Sequence, residues 1–160
     1  MWEILAYAPL VILMTIASIS DIKTKTIPDW ISAIGIVLGF FLCPWTMLGP
    51  TQNGPWLSSL SGMTVGAGIF WMIRFSGSIA FKREAMGEGD LAIIAMIGSF
   101  LGWQACVVTL IASSPIGIAY ALTFKDHELP YGPSLCLAAL LTMIFWSHLS
   151  PPLAPFFQLW

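Results

Sequence analysis

The chain has 160 residues, of which 58% are hydrophobic and 9% are charged, whereas roughly 25% of the residues of an ordinary soluble domain are charged. Its mean hydropathy of +0.86 comes from several apolar stretches. This composition excludes a soluble globular protein and predicts a single membrane-embedded domain over residues 1–160. The three cysteines, Cys43, Cys106 and Cys136, form no C-x-x-C pair, so we expect small packing residues rather than zinc ligands or disulfides.

Four apolar runs are long enough to cross about 30 Å of hydrocarbon. They are Ile4–Ser20, Trp30–Leu48, Trp56–Ile73 and Ser134–Leu149. The first is not a secretory signal, because Glu3 precedes it and no small-residue cleavage site follows it. A fifth run, Leu91–Phe124, is too long for one helix of about 20 residues. We expect it to form two short helices with a turn at Gly102–Gln104.

The basic residues predict the orientation of the spans. They occupy three segments: Lys23 and Lys25; Arg74, Lys82 and Arg83; and Lys125. The positive-inside rule places all three in the cytoplasm, which requires two crossings within Leu91–Phe124. The sequence therefore predicts an all-α protein with about six transmembrane helices, both termini periplasmic, in a bacterial inner membrane. Trp45, Trp56 and Trp103 would then anchor the outer interface.

Spans two and three carry glycines at the small-x-x-x-small spacing that allows helices to pack closely. These are Gly35, Gly39, Gly62, Gly66 and Gly68.

Two acidic residues adjoin apolar spans. Asp21 ends the first span and Asp90 begins the fourth, and ionisable groups at membrane depth are candidates for function. The structural alternative is that Asp90 caps a helix and Asp21 only marks the interface. Gly87 and Gly89, which flank Glu88, would allow positive φ and close approach of another chain before Asp90.

Three ordered motifs resemble those of the prepilin peptidases, the type IV leader peptidases of the GxGD aspartyl protease class. They are Asp21 followed by Ile27-Pro28-Asp29, then Gly87-Glu88-Gly89-Asp90, and finally Leu129-Pro130-Tyr131-Gly132-Pro133. The resemblance covers nearly the whole chain, and it implies that Asp21 and Asp90 are the catalytic pair. Asp29 is the competing candidate, which we interpret as part of the helix entry. The chain differs from the family pattern at Ala92, where many members have lysine, and in lacking the N-terminal methylating domain of the long members, so we expect no methyl transfer.

The resemblance also implies a reaction and a substrate. Two carboxyl groups held close would share a proton, one acting as base toward water and the other as acid toward the scissile carbonyl, with no metal or cofactor. Prepilin or pseudopilin precursors would lose a short basic leader on the cytoplasmic side of the bilayer. Four acids in the cytoplasmic loops could attract that leader or could simply be solvated: Glu84, Glu88, Asp126 and Glu128.

Two alternatives stay open. The same acids could serve a small proton- or cation-coupled transporter, or the chain could be a non-catalytic subunit of a pilus or secretion assembly. A transporter predicts acids near the bilayer midplane, whereas both aspartates adjoin the ends of spans. We expect no nucleic-acid partner.

Overall fold

The computed structural model describes residues 2–48, 54–81, 87–124 and 131–157. They form six α-helices: α1 (Trp2–Thr24), α2 (Asp29–Thr46), α3 (Pro55–Phe81), α4 (Glu88–Leu101), α5 (Trp103–Phe124) and α6 (Gly132–Phe157). The all-α prediction is confirmed. Five stretches are long and apolar enough to cross a membrane, and the one that runs from Gly89 to Tyr120 contains both α4 and α5.

Successive helices alternate in direction, as polar contacts between them indicate. These contacts are Thr46 Oγ1 donating to Phe100 O at 2.8 Å, Ser59 Oγ donating to Ser99 O at 2.7 Å, Gly132 N donating to Asp21 Oδ2 at 3.0 Å and Ser113 Oγ meeting Tyr131 Oη at 2.7 Å. One end of the bundle, the aspartate end, therefore gathers the N-termini of α2, α4 and α6. The beginning of α1 and the end of α6 lie toward the opposite end.

The chain reverses at Gly102, within the predicted turn. Gly102 has φ 84°, a left-handed conformation that glycine adopts without strain. Beyond it, Cys106 Sγ donates to Ile94 O at 3.8 Å. Twelve residues of one straight helix would separate these groups by about 18 Å, so α5 folds back along α4. The prediction of two helices in this run is confirmed.

Helix α4 is the centre of the bundle. Its 14 residues rise only about 21 Å. In the stretch that contains it, 72% of an apolar 18-residue segment is buried, against 28 to 39% of the corresponding segments in the other four stretches. Carbonyls at a helix C-terminus need partners from outside the helix. Here Thr46 and Ser59 supply two of them, and Leu48 N donates to Leu101 O at 3.3 Å. Side chains of α2 and α3 and the segment that follows α2 thus satisfy the last carbonyls of α4.

The glycine spacing predicted close packing, and four of the five glycines confirm it. A Cβ on Gly62 would collide with the backbone of α4 at Gly98, and one on Gly66 would lie 2.5 Å from Cys106 Sγ. Gly35 and Gly39 likewise face side chains of α4. Gly68 is the exception, because nothing lies within 4 Å of its added Cβ.

The three cysteines are free and buried, as the packing interpretation predicts. Trp45 and Trp56 are exposed at the end of the bundle opposite the aspartates. Helix α6 extends beyond the apolar run Ser134–Leu149, through Pro151 to Phe157.

Candidate active site

Asp21 and Asp90 come from different helices and lie at the same end of the bundle. Asp21 is in the last turn of α1 and Asp90 is the third residue of α4. Each is only 6% exposed. The carboxyl groups are close enough for the charge of Asp21 to act on Asp90. The fold therefore brings together the two acids that the sequence singled out.

The Asp21 carboxyl group lies against the start of α6. The backbone N–H of Gly132 donates to Asp21 Oδ2 at 3.0 Å. Gly132 is the first residue of α6, so its N–H has no partner within the helix and carries part of the positive end of the helix dipole. A side chain at this position would collide with the carboxyl group, because an added Cβ would be 2.6 Å from Oδ2 and 3.3 Å from Cγ.

The Asp90 carboxyl group turns back toward the beginning of its own helix. Gly87 is the N-cap of α4, and its backbone hydrogen-bonds the Asp90 carboxyl group, as an acidic residue at the third helical position does in a capping box. The structural alternative, in which Asp90 itself is the N-cap, is therefore wrong. Among the described residues, the other oxygen, Oδ1, is buried without a hydrogen-bond partner.

The two glycines before Asp90 have different roles. Gly87 has φ −69° and Gly89 lies within α4, so the prediction of positive φ there is wrong. The helix simply begins earlier than the sequence pattern indicated. The prediction of close approach is confirmed at Gly89, where an added Cβ would be 2.8 Å from Cβ of Ile27.

Hydroxyl groups shape the turn that carries Ile27. Helix α1 ends at Thr24, and the next residue, Lys25, has φ 53°. Ser20 Oγ and Thr24 Oγ1 then donate to the carbonyl of Thr26 at 3.1 and 3.0 Å. These bonds replace the helical ones that the chain loses at this point. Since Ile27 follows directly, the turn after Asp21 packs on the glycine beside Asp90.

The other predicted residues occupy different surroundings. Pro28 is the N-cap of α2, and Asp29 is exposed in its first turn, consistent with helix entry rather than with the buried pair. Pro133 is the second residue of α6, and Glu88 begins α4. Four predicted residues lie outside the described residues: Glu84, Asp126, Glu128 and Pro130.

Sequence reasoning did not detect two contacts at this site. One is the bond from Gly132 to Asp21, and the other is the bond between the hydroxyls of Tyr131 and Ser113. The only feature of the sequence that could have indicated the bond to Asp21 is the pair Gly132-Pro133. Proline lacks an N–H, so the amide of the preceding glycine is the first donor that this helix start can offer.

A buried pair of carboxyl groups at one end of an apolar helical bundle can perform acid–base chemistry on a bond brought to that end. By its fold the chain is a multi-pass membrane protein, with two buried acidic residues at one end of its helical bundle. The model of the type IV leader peptidase family matches residues 8–122. The chain belongs to that family.

The curated relatives point the same way. The chain is 27% identical over 129 residues to the "Type 4 prepilin-like proteins leader peptide-processing enzyme" of Escherichia coli O78:H11, covering 79% of this chain and 46% of that protein. It is 26% identical over 150 residues to the "Prepilin leader peptidase/N-methyltransferase" of Pseudomonas putida, covering 89% and 50%. The Escherichia coli K12 protein of the same name is 23% identical over 139 residues, covering 83% and 60%.

The chain spans about half the length of the curated relatives it matches. No solved structure matches it.

Proposed function

We propose that the chain is an aspartyl endopeptidase that removes the leader from type IV prepilin-like precursors, with Asp21 and Asp90 as the catalytic pair. The observation that carries the proposal is the pairing of these two buried carboxyl groups from distant parts of the sequence. Membership of the leader peptidase family supports it.

The reaction follows from the chemistry of such a pair. One carboxylate takes a proton from the attacking water, and the other carboxyl group gives its proton to the scissile carbonyl. The first group then passes its proton to the leaving amine, and the second regains a proton from the tetrahedral intermediate as the new carboxyl group forms. Asp90 Oδ1, which is buried and has no partner among the described residues, has its hydrogen-bonding capacity available for water or substrate. All proton transfers take place between the two side chains, water and the peptide.

The charges near the site suit a cut at the cytoplasmic border. Lys23 and Lys25 are exposed beside Asp21 at the aspartate end, and the positive-inside rule assigns such residues to the cytoplasm. We infer six crossings with both termini periplasmic and the pair at the cytoplasmic face of the inner membrane. The basic leader would then be cut while the apolar helix behind it stays in the bilayer.

The position of the acids argues against a transporter. Intramembrane binding sites of transporters lie near the bilayer midplane, at breaks within spans. Asp21 and Asp90 lie in the terminal turns of α1 and α4, whereas the break at Gly102 is at the opposite end of α4.

Cleavage by the purified protein tests the proposed activity. We expect the protein in detergent to cut a type IV prepilin at a single bond, just before the apolar segment of the precursor. Mass spectrometry of both products locates the bond. A precursor in which glutamate replaces each basic leader residue is the control for recognition of charge. An intact precursor after incubation with the wild-type protein would refute the activity.

Cysteine labelling in intact cells tests the proposed orientation. A single cysteine at Lys25 should react only with a membrane-permeant maleimide, whereas one at Asn53 should also react with an impermeant reagent, because the two positions flank α2 and lie on opposite faces. The variants need a cysteine-free background. Labelling of position 25 by the impermeant reagent would overturn the orientation.

A further inference from the structure

The beginning of α6 makes an unusual set of contacts for a helix terminus. Its first N–H, from Gly132, donates to Asp21, and its second residue, Pro133, has no N–H to offer. Further along the helix, the backbone N–H of Leu135 donates to Tyr131 O at 3.1 Å. The Asp21 carboxyl group therefore occupies the place of an N-terminal cap of α6, supplied by another helix.

Tyr131, the residue just before α6, is fixed by its hydroxyl group. Ser113 Oγ lies 2.7 Å from Tyr131 Oη and also donates to Leu110 O at 2.8 Å. A serine hydroxyl has one proton. Since Leu110 O accepts that proton, Tyr131 is the donor in the bond between the two hydroxyls. Ser113 is fully buried, so this bond ties the start of α6 to the middle of α5.

The ring of Tyr131 is also held from two sides. A Cβ on Gly117 of α5 would lie 2.9 Å from Cε2 of the ring, so the ring packs directly on the backbone of that helix. The Phe70 ring of α3 lies 6.2 Å away between centroids, within the range of aromatic pairs. Contacts with two helices thus determine where Tyr131 sits, and Gly132 follows it directly.

We propose that Gly132, Tyr131 and Ser113 are positioning residues for Asp21, acting as a clamp that runs from α5 through the start of α6 to the Asp21 carboxyl group. The clamp rests on the proposed function of Asp21 in peptide cleavage. Gly132 supplies the N–H and the space for the carboxyl group, and the bond from Tyr131 to Ser113 holds that N–H in place. The clamp selects one orientation of Asp21 toward Asp90.

The first test removes the space at Gly132. In Gly132→Ala the new methyl group forces the carboxyl group away, and a displacement of about 1 Å at a reacting group costs about 100-fold in rate. We expect kcat to fall about 100-fold and KM to stay unchanged, because the substitution moves a reacting group and not the leader-binding surface. Gly68→Ala is the control, since its Cβ meets nothing within 4 Å.

The second test weakens the clamp without adding bulk. Tyr131→Phe removes the bond between the two hydroxyls, and Ser113→Ala removes that bond together with the bond to Leu110 O. Each should lower kcat about 5-fold. Ser114→Ala is the control, because Ser114 is exposed and makes only a long bond to Leu110 O at 3.4 Å. The double variant Tyr131→Phe/Ser113→Ala should equal the worse single variant, since both remove the same bond. Ser113→Thr, which keeps the hydroxyl, should restore kcat.

The outcomes separate the clamp from the proposed function. If the wild-type protein cleaves and Gly132→Ala has the same kcat as Gly68→Ala, the proposed clamp is wrong. The proposed peptidase activity is not affected by that result. Additive losses in Tyr131→Phe/Ser113→Ala, or a rise in KM at constant kcat, would also overturn the clamp. If the wild-type protein does not cleave the precursor, the proposed function itself is wrong. Melting curves of all variants in detergent establish that each is folded, and the two mild variants test the clamp even if Gly132→Ala unfolds.

Discussion

Asp21→Asn and Asp90→Asn should each lower prepilin cleavage at least about 1,000-fold, within the range that general acid–base groups contribute. Asparagine keeps a side-chain oxygen, so at position 21 it can still accept the Gly132 N–H, and at position 90 the bond from Gly87. A purely capping aspartate would therefore tolerate the change. A catalytic one would not, since an amide can neither take a proton from water nor supply one to the carbonyl.

Asp29→Asn is the matched control within the same motif. Asp29 is exposed in the first turn of α2, and we expect its variant to keep more than half of wild-type activity, because surface changes of this kind affect stability by only about 0.5 kcal/mol. The double variant Asp21→Asn/Asp90→Asn should be no worse than either single one, as in other interdependent catalytic groups. The measurement is initial cleavage rate at matched amounts of folded protein. Near-normal activity of either single variant would eliminate the pair. Loss in Asp29→Asn and Asp90→Asn, with activity kept in Asp21→Asn, would make Asp29 the partner of Asp90.

Much of the fold was predictable because lipid imposes a simple rule. A segment in hydrocarbon must be both apolar and hydrogen-bonded within itself, so long apolar runs such as Trp30–Leu48 predict helices directly. The helix ends were less predictable. Hydropathy follows the apolar part of a helix, whereas polar turns can continue it, and so α1 extends beyond Ser20 to Thr24. Asp21 therefore lies within the helix rather than after it.

The pairing of Asp21 with Asp90 was expected from family resemblance. Physical reasoning from the residues alone left a structural role open for each, helix capping for Asp90 and a position at the interface for Asp21. The structure explains why that question could not be resolved from the sequence. Both carboxyl groups do accept bonds from the beginning of a helix, and both lie where a catalytic pair would. The bond from Gly132 to Asp21 joins residues 111 positions apart, and no local pattern encodes such a contact.

Gly62→Leu should strongly destabilise the bundle, and its effect should reach the candidate active site through α4. Gly62 of α3 and Gly98 of α4 face each other where the two backbones cross. A Cβ on Gly98 would lie 2.5 Å from the carbonyl carbon of Gly62 and 3.0 Å from Met63 N. These neighbours are backbone atoms, which cannot move aside as a side chain does, so any larger residue must push the helices apart.

Pushing α3 and α4 apart should lower the free energy of unfolding more than overpacking at an ordinary core position does. Extra methylene groups in a packed interior cost about 1 to 3 kcal/mol, and here the displaced unit is a central helix. Ser59 would also lose its bond to Ser99 O, leaving a carbonyl of α4 unpaired in a medium without water. We expect the free energy of unfolding in mixed micelles to fall by about 3 kcal/mol or more for Gly62→Leu.

Two further variants provide a control and test whether the destabilisation also affects the candidate active site. Gly68→Leu lies on the same helix with open space around its Cβ, so it should leave the free energy of unfolding and the cleavage rate close to wild type. Gly62→Ala, with a single added carbon, should fold and show a cleavage rate reduced in proportion to its loss of stability, because α4 carries Asp90 at its other end. If Gly62→Leu unfolds no more easily than Gly68→Leu, the crossing of α3 and α4 does not hold the bundle together.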